Sequence, residues 1–416
     1  MNNIQNKNIF YFLFVIFIFI SCTNKNSTIG FPGTKFEPHE IDFDSTAFKQ
    51  IYAYKDSLRA FGGNSKLVLG SFEEINSRIL IRFVNLPTDT TFTGNPEITM
   101  YISNKDHFNT DFDIYVAPIM DKVFLPNFAT WEKYNETDDW ANEGGDGDFE
   151  NEVLTPYIVE KDTLGLELEK IKFEIDHSIV VQWMGSKMEE NFGLIIYAKG
   201  ANNSFLEFHS TYTNTRPQIS LTYASDDTLL HIETRQANYS TYIHDKKDTD
   251  FDHNKLQVSN IPPRSIFTML DLSFESHESI WKDNGVSNAE ELKNINVTQA
   301  FIVFSVDKDK TMMTNTRFGL GVGIPLTYHD EIQQTFQIND LLLFPTTSDT
   351  LRAGKMRINV GAPLQQIISK NRENNGLVFI NHQSNMDFSR INVFGTDETD
   401  ESLHPRLILR YTILKE

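Results

Sequence analysis

Short stretches with period-two alternation, or continuous apolar character, predict strands at Lys66–Gly70, Arg78–Val84, Glu97–Ser103, Phe112–Pro118, Lys170–Ile175, Gly193–Lys199 and Gln218–Tyr223. Turn residues such as Gly62-Gly63-Asn64 separate most of them at short spacing, the pattern of an all-β sandwich. One longer interruption, Leu125–Val159, is rich in Trp, Gly and acids.

The pattern repeats. Phe173–Phe205 returns, shifted by 183 residues and without a gap, as Met356–Phe388, with ten of 33 positions identical. The shared positions include Gln182/Gln365, Glu190/Glu373, Asn191/Asn374, Gly193/Gly376 and Phe205/Phe388. Each copy predicts a strand, a short amphipathic helical turn, a polar corner ending in Gly and an apolar strand. A repeat of this length is a whole domain present twice, not a solenoid unit. The second copy continues the match: Asn254-Lys255-Leu256 answers Ser65-Lys66-Leu67, Arg264–Leu272 answers Arg78–Leu86, and Ala300–Val306 answers Ile98–Ser103. His404-Pro405-Arg406 with Leu407–Tyr411 answers Arg216-Pro217 with Gln218–Tyr223. The division expected is a signal peptide over 1–21, a tether over 22–50, one sandwich over 51–224 and a degenerate second over 225–416.

The N-terminus changes the setting. Lys7 is followed by the apolar run Ile9–Ile20, too short to span a bilayer as a helix but long enough for the core of a signal peptide. Cys22, the single Cys of 416 residues, ends Phe19-Ile20-Ser21-Cys22, which resembles a bacterial lipobox. This implies acylation of Cys22 and an outer-membrane lipoprotein, with its membrane contact made through the lipid. Thr23–Thr46 is polar, carries Gly and Pro, and reads as a lead off the membrane. Thr23-Asn24-Lys25-Asn26 lacks the acids that some surface-exported lipoproteins carry there, so the periplasmic and cell-surface faces both stay open.

A net charge of −20 without a basic patch sets nucleic-acid binding aside. One Cys excludes a disulfide framework. There is no HExxH, no GxSxG elbow, no phosphate loop and no dinucleotide fingerprint, so the chain reads as a non-enzyme.

Thr130–Glu152, TWEKYNETDDWANEGGDGDFENE, carries the candidate chemistry. Trp131, Tyr134 and Trp140 can form a platform on which sugar C–H faces stack, with carboxylates taking the hydroxyls. The competing reading packs Trp131 into the sandwich and leaves a solvated acidic loop. Asp138, Asp139, Glu143, Asp146, Asp148 and Glu150 offer oxygen ligands for a structural Ca²⁺, the one cofactor suggested. Asp248, Asp250 and Asp252 resemble the front of an EF-hand loop, but His253 stands where Gly is needed, so a solvated acidic turn is the better reading. Trp183 reads as a packing residue, and Trp281 as an isolated loop cap.

The blocks DSLRAFGGNSKLVLG, SRILIRFVNLP, Thr130-Trp131, Trp140 with Gly144-Gly145-Asp146, VVQWMGSKMEENFGLIIY and the closing Arg216-Pro217 occur in an order that resembles a DNRLRE domain, a family overlapping carbohydrate-binding module family 96. The resemblance covers about Ile51 to Ser225. It implies a jelly-roll-like β-sandwich of extracellular and cell-surface proteins, with polysaccharide binding in some members and no catalytic residues. The second copy lacks the Trp-rich loop. The resulting expectation is a non-catalytic envelope lipoprotein that binds polysaccharide through Thr130–Glu152. The alternative is a structural or assembly lipoprotein that binds other proteins. An exposed, coplanar aromatic pair at the sandwich rim would favour the first; buried rings, or an apolar patch with no sugar-sized cleft, would favour the second.

Overall fold

The computed structural model describes residues 35–415 except 57–62, 73–74, 89–90, 109–111, 151, 155–157, 162–168, 185–189, 225–229, 246–250, 262, 314–319, 329–334, 337–339, 345–348 and 382–387. Cys22 therefore lies outside the described residues, as do Asp248 and Asp250. The protein is mostly β, with several antiparallel sheets.

The described chain opens with β1 (Lys35–Phe43) and β2 (Phe48–Asp56). The next strands are β3 (Lys66–Phe72), β4 (Ile75–Arg82), β5 (Thr93–Asn104), β6 (Asp113–Pro118), β7 (Val153–Leu154), β8 (Ile158–Lys161) and β9 (Glu169–Glu174). Helix α1 (His177–Gln182) leads to β10 (Leu194–Lys199), β11 (Ser204–His209), β12 (Gln218–Ala224), β13 (Leu230–Gln236) and β14 (Tyr239–His244). Strands β3 to β14 build the first sandwich. One layer holds β11, β3, β4, β10, β6 and β7, with β14 on β4; the other holds β13, β12, β5, β9 and β8. β5 joins the layers, pairing β12 and β9 in one and β11 in the other, with a register shift at Glu207/Phe208. Core residues come from inward positions of both layers, among them Leu69, Ile79, Ile81, Ile98, Met100, Phe173, Leu194, Ile196 and Leu221.

The rest of the chain forms β15 (Gln257–Ser259), β16 (Arg264–Leu270), α2 (Glu278–Asp283), α3 (Ala289–Lys293), β17 (Asn296–Ser305), β18 (Leu320–Pro325), β19 (Thr335–Phe336), β20 (Leu341–Phe344), β21 (Asp349–Arg352) and β22 (Lys355–Asn359). It closes with α4 (Gly361–Ile368), β23 (Leu377–Asn381), β24 (Arg390–Asn392) and β25 (Arg406–Lys415). One sheet runs β1-β25-β17-β22-β21; the facing one runs β19-β2-β16-β23-β18-β20, with β15 and β24 at its side. Ile41, Phe43, Ile266, Ile302, Phe304, Ile358, Phe379 and Leu409 fill the space between them.

Two expectations about organisation are corrected. The tether expected over 22–50 contains β1, which pairs β25 along its whole length from Lys35↔Lys415 to Phe43↔Leu407. Pro38 is accommodated because β1 lies at the sheet edge, where a missing N–H is tolerated. The expected boundary at 224/225 also moves. β2 pairs β16 in the second sandwich, while β13 and β14 pair β12 and β4 in the first. Trp281 is no loop cap. It is fully buried in the second core, 5.4 Å from Phe43 and 5.8 Å from Tyr411 between ring centroids. Trp183 is buried in the first core.

The repeated corner performs the same task twice. Asn191 Nδ2 donates to the Phe83 carbonyl at 2.5 Å, and Asn374 Nδ2 donates to the Leu270 carbonyl at 2.6 Å. Gly193 and Gly376 follow with φ of +100° and +88°. A Cβ on Gly193 would lie 2.6 Å from the Ile81 carbonyl oxygen, so only Gly lets the corner reach its neighbouring strand.

Candidate functional site

β4 and β10 carry apolar residues on both faces. Ile79, Ile81, Leu194 and Ile196 face the core between the layers, while Leu80 and Ile195 face outward beside Ala117 and Ile243. An outward apolar face needs a cover. Residues 119–149 supply it. Isolated bridges at Ile119↔Phe149 and Lys133↔Asp139 fold the segment back on itself. Further backbone bonds run from Leu125 N to Tyr134 O, Trp140 N to Glu132 O and Gly144 N to Trp131 O.

Trp140 is the keystone of this cover. It is 5% exposed and packs with Leu80, Ala117, Phe124, Ala129 and Ile195, and its Nε1 donates to the Thr130 carbonyl at 3.0 Å. Tyr134 meets it at 5.5 Å between centroids with the planes tilted by 54°. Trp131 lies under the Arg78 guanidinium at 4.8 Å. Gly144, at φ +77°, closes on the same indole so tightly that a Cβ there would lie 2.6 Å from Cζ2. Trp131, Tyr134 and Trp140 are thus brought together as one packed layer. Trp140 is buried and tilted against Tyr134, so these two rings do not form an exposed, coplanar pair, while Trp131 and Tyr134 are half-buried. The continuous apolar character of Arg78–Val84 and Gly193–Lys199 was the sequence signal for this second buried face.

Three acids of the segment are held by protein donors. Arg78 Nη1 donates to Asp146 Oδ1 at 2.6 Å and to the Gly144 carbonyl at 2.8 Å. Asp148, buried, accepts from Ala141 N at 2.5 Å and lies 4.0 Å from Lys122 Nζ. The Asn135 side-chain amide, donating to Asp138, holds that carboxyl below the usual range. Asp139 is tied through the bridge to Lys133, Glu143 opens a short 3₁₀ turn, and Glu150 is exposed. Among the described residues no three His, Cys, Asp or Glu side chains gather to hold a metal ion. The six candidate Ca²⁺ ligands therefore do not converge on one point. Asp252, from the EF-hand-like run, accepts from Asn254 N in a local turn.

A cleft that the sequence did not single out lies beside this cover. It encloses about 460 Å³ between Met120, Val153, Ile179 and Phe192, with Asp176, Gln182 and Glu190 as polar lining. Met120 and Val153 are 44% and 48% exposed, and Leu154 on the same strand is 50% exposed. Leu125 and Phe128, on the covering segment, are exposed as well. Asp176 caps α1, accepting from Ser178 N and Oγ; the Ser178 hydroxyl lowers its pKa first. The second sandwich has a counterpart of about 230 Å³, lined by Ile324, Leu326, Arg372, Glu373 and Asn375. The repeated Glu190/Glu373 stands on both rims. The same corner that closes each sandwich therefore also shapes a cleft in each.

No helix among the described residues is long and apolar enough to cross a membrane. In comparisons with known proteins, no family model matches the chain and no curated protein is significantly similar to it.

Proposed function

We propose that this protein is a non-catalytic envelope lipoprotein, acylated at Cys22, whose first sandwich binds another envelope protein at the cleft beside residues 119–154. The observation that carries this reading is the contrast between rings and aliphatics. Trp140 and its neighbours are spent on covering a sheet, while Met120, Val153 and Leu154 stand exposed around a cleft. Exposed aliphatic surface with a polar rim suits a protein partner, and the exposed part of this cleft's apolar wall is aliphatic, with Phe192 half-buried. Sugar binding through Trp131, Tyr134 and Trp140 is correspondingly disfavoured. The jelly-roll-like family reading is compatible with either ligand class.

The test places a photo-crosslinking amino acid at position 120 in the lipidated full chain and irradiates intact cells. A discrete, protease-sensitive adduct that Val153→Asp abolishes is expected. A glycan array with the soluble form beginning at Asn24 is expected to stay blank. Specific polysaccharide binding that disappears in Trp140→Ala, without loss of folding, overturns the proposal.

A further inference from the structure

The two sandwiches are each closed by a strand pair that belongs, in sequence, to the other. β1–β2 precedes β3, and β13–β14 precedes β15, so each pair opens one copy of the repeat. Yet β1 pairs β25 and β2 pairs β16, while β13 pairs β12 and β14 pairs β4. These are equivalent positions. β4 and β16 each have the strand after the repeated corner, β10 or β23, on their other side. β12 and β25 are the closing strands that follow the Arg216-Pro217 and His404-Pro405 signatures.

We infer that the molecule is a strand-exchanged pseudo-dimer within one chain: each repeat lends its first two strands to the other's sandwich, and the second sandwich is incomplete without β1–β2.

A second, independent observation fits this symmetry. In a two-fold association, equivalent residues meet at the axis. Phe205 and Phe388, identical positions of the repeat, are in edge contact at 4.8 Å between centroids. Phe72 of the first sandwich lies 5.6 Å from Phe388. Ile261, the residue answering Phe72 in the second copy, is buried in the first sandwich's core. The second strand of each lent pair, β2 and β14, is buried in its host: Tyr52 stacks on Phe267 at 4.7 Å, and the Ala53 N–H donates to the His253 carbonyl. On the reading of Cys22 as lipid-bearing, the anchor then enters the fold through the second sandwich.

The test uses the full soluble chain with Cys22→Ser, Glu40→Cys and Arg410→Cys, an exposed cross-strand pair between β1 and β25. A protease site is placed between Ala224 and Leu230. After oxidation and cleavage, a non-reducing denaturing gel is expected to show one band at full-chain mass that splits into two on reduction. Without the cysteines, the cleaved halves are expected to co-elute on native size exclusion. Two bands without reduction, or separation of the native halves, overturns the exchange; a non-reducing band at twice the chain mass in the oxidised sample before cleavage overturns its closure within one chain.

Discussion

The two sandwiches share a frame and differ in what was added to it. Both have the Asn-to-carbonyl bond, the left-handed Gly and a corner helix. The first adds a buried ion pair and a covering segment over its outer face. Lys66 Nζ meets Glu207 Oε2 at 2.5 Å, with the Glu207 side chain fully buried. The second has Lys255 where the first has Lys66, and that side chain is 74% exposed, 4.0 Å from Asp252. It places its extra mass, α2 and α3 with Trp281, against the core instead. Shared residues thus mark what each fold needs in order to close, and unshared ones mark where the two halves took separate tasks.

Twin substitutions break or sharpen this comparison. The largest difference is expected for Lys66→Met against Lys255→Met. Removing one partner of a buried pair costs about 3–5 kcal/mol, while an exposed pair contributes less than about 1 kcal/mol. Denaturant melts of the two variants should therefore diverge, and equal midpoints would show that the Glu207 pair is not special.

Gly193→Ala and Gly376→Ala should behave alike. Each forces a side chain into the left-handed region, at roughly 1–3 kcal/mol before the overlap with the neighbouring strand is counted. Thermal scans that show one Gly to be dispensable would separate the two corners. Smaller again are Asn191→Ala and Asn374→Ala, which leave the Phe83 and Leu270 carbonyls without these donors at about 1–3 kcal/mol each.

The smallest effect is confined to the second sandwich, at Asp271, the residue after Leu270. The Ser276 hydroxyl, then Ser273, lowers its pKa from 3.8 to about 2. A depressed carboxylate adds stability that is full above the unfolded pKa and is lost as pH falls through the folded one. Asp271→Asn should thus be less stable than the parent above about pH 4, and the gap should close towards pH 2. Denaturation curves across that range check it; a gap that widens on acidification would refute the assignment.

Much of the frame was legible in the chain. The strands at 66–70, 97–103, 170–175 and 218–223 lie where alternation placed them, and the Gly193/Gly376 corner was visible as a repeat. Two things were not legible, for the same physical reason. Strand partners are non-local, so Lys35–Phe43 could not announce β25 as its neighbour across more than three hundred residues. Nor could Trp140 declare whether a sheet face waited beneath it. Its aromatic and acidic neighbourhood looks like a ligand loop, yet the decisive residues are Leu80, Ile195 and Ile243 on distant strands. The cleft beside it went unread because its lining is ordinary: Met120, Val153, Ile179 and Phe192 form no motif.

The most direct test of the packed-ring account is a thermal melt of Trp140→Ala beside the parent protein. Truncating a buried Trp costs about 3–5 kcal/mol, which lowers Tm by roughly 6–12 °C at the low end of that range. That fall, with the Met120 crosslink retained under permissive conditions, is the predicted result. An unchanged Tm together with loss of polysaccharide binding would contradict the account and return the ring to the role of a sugar platform.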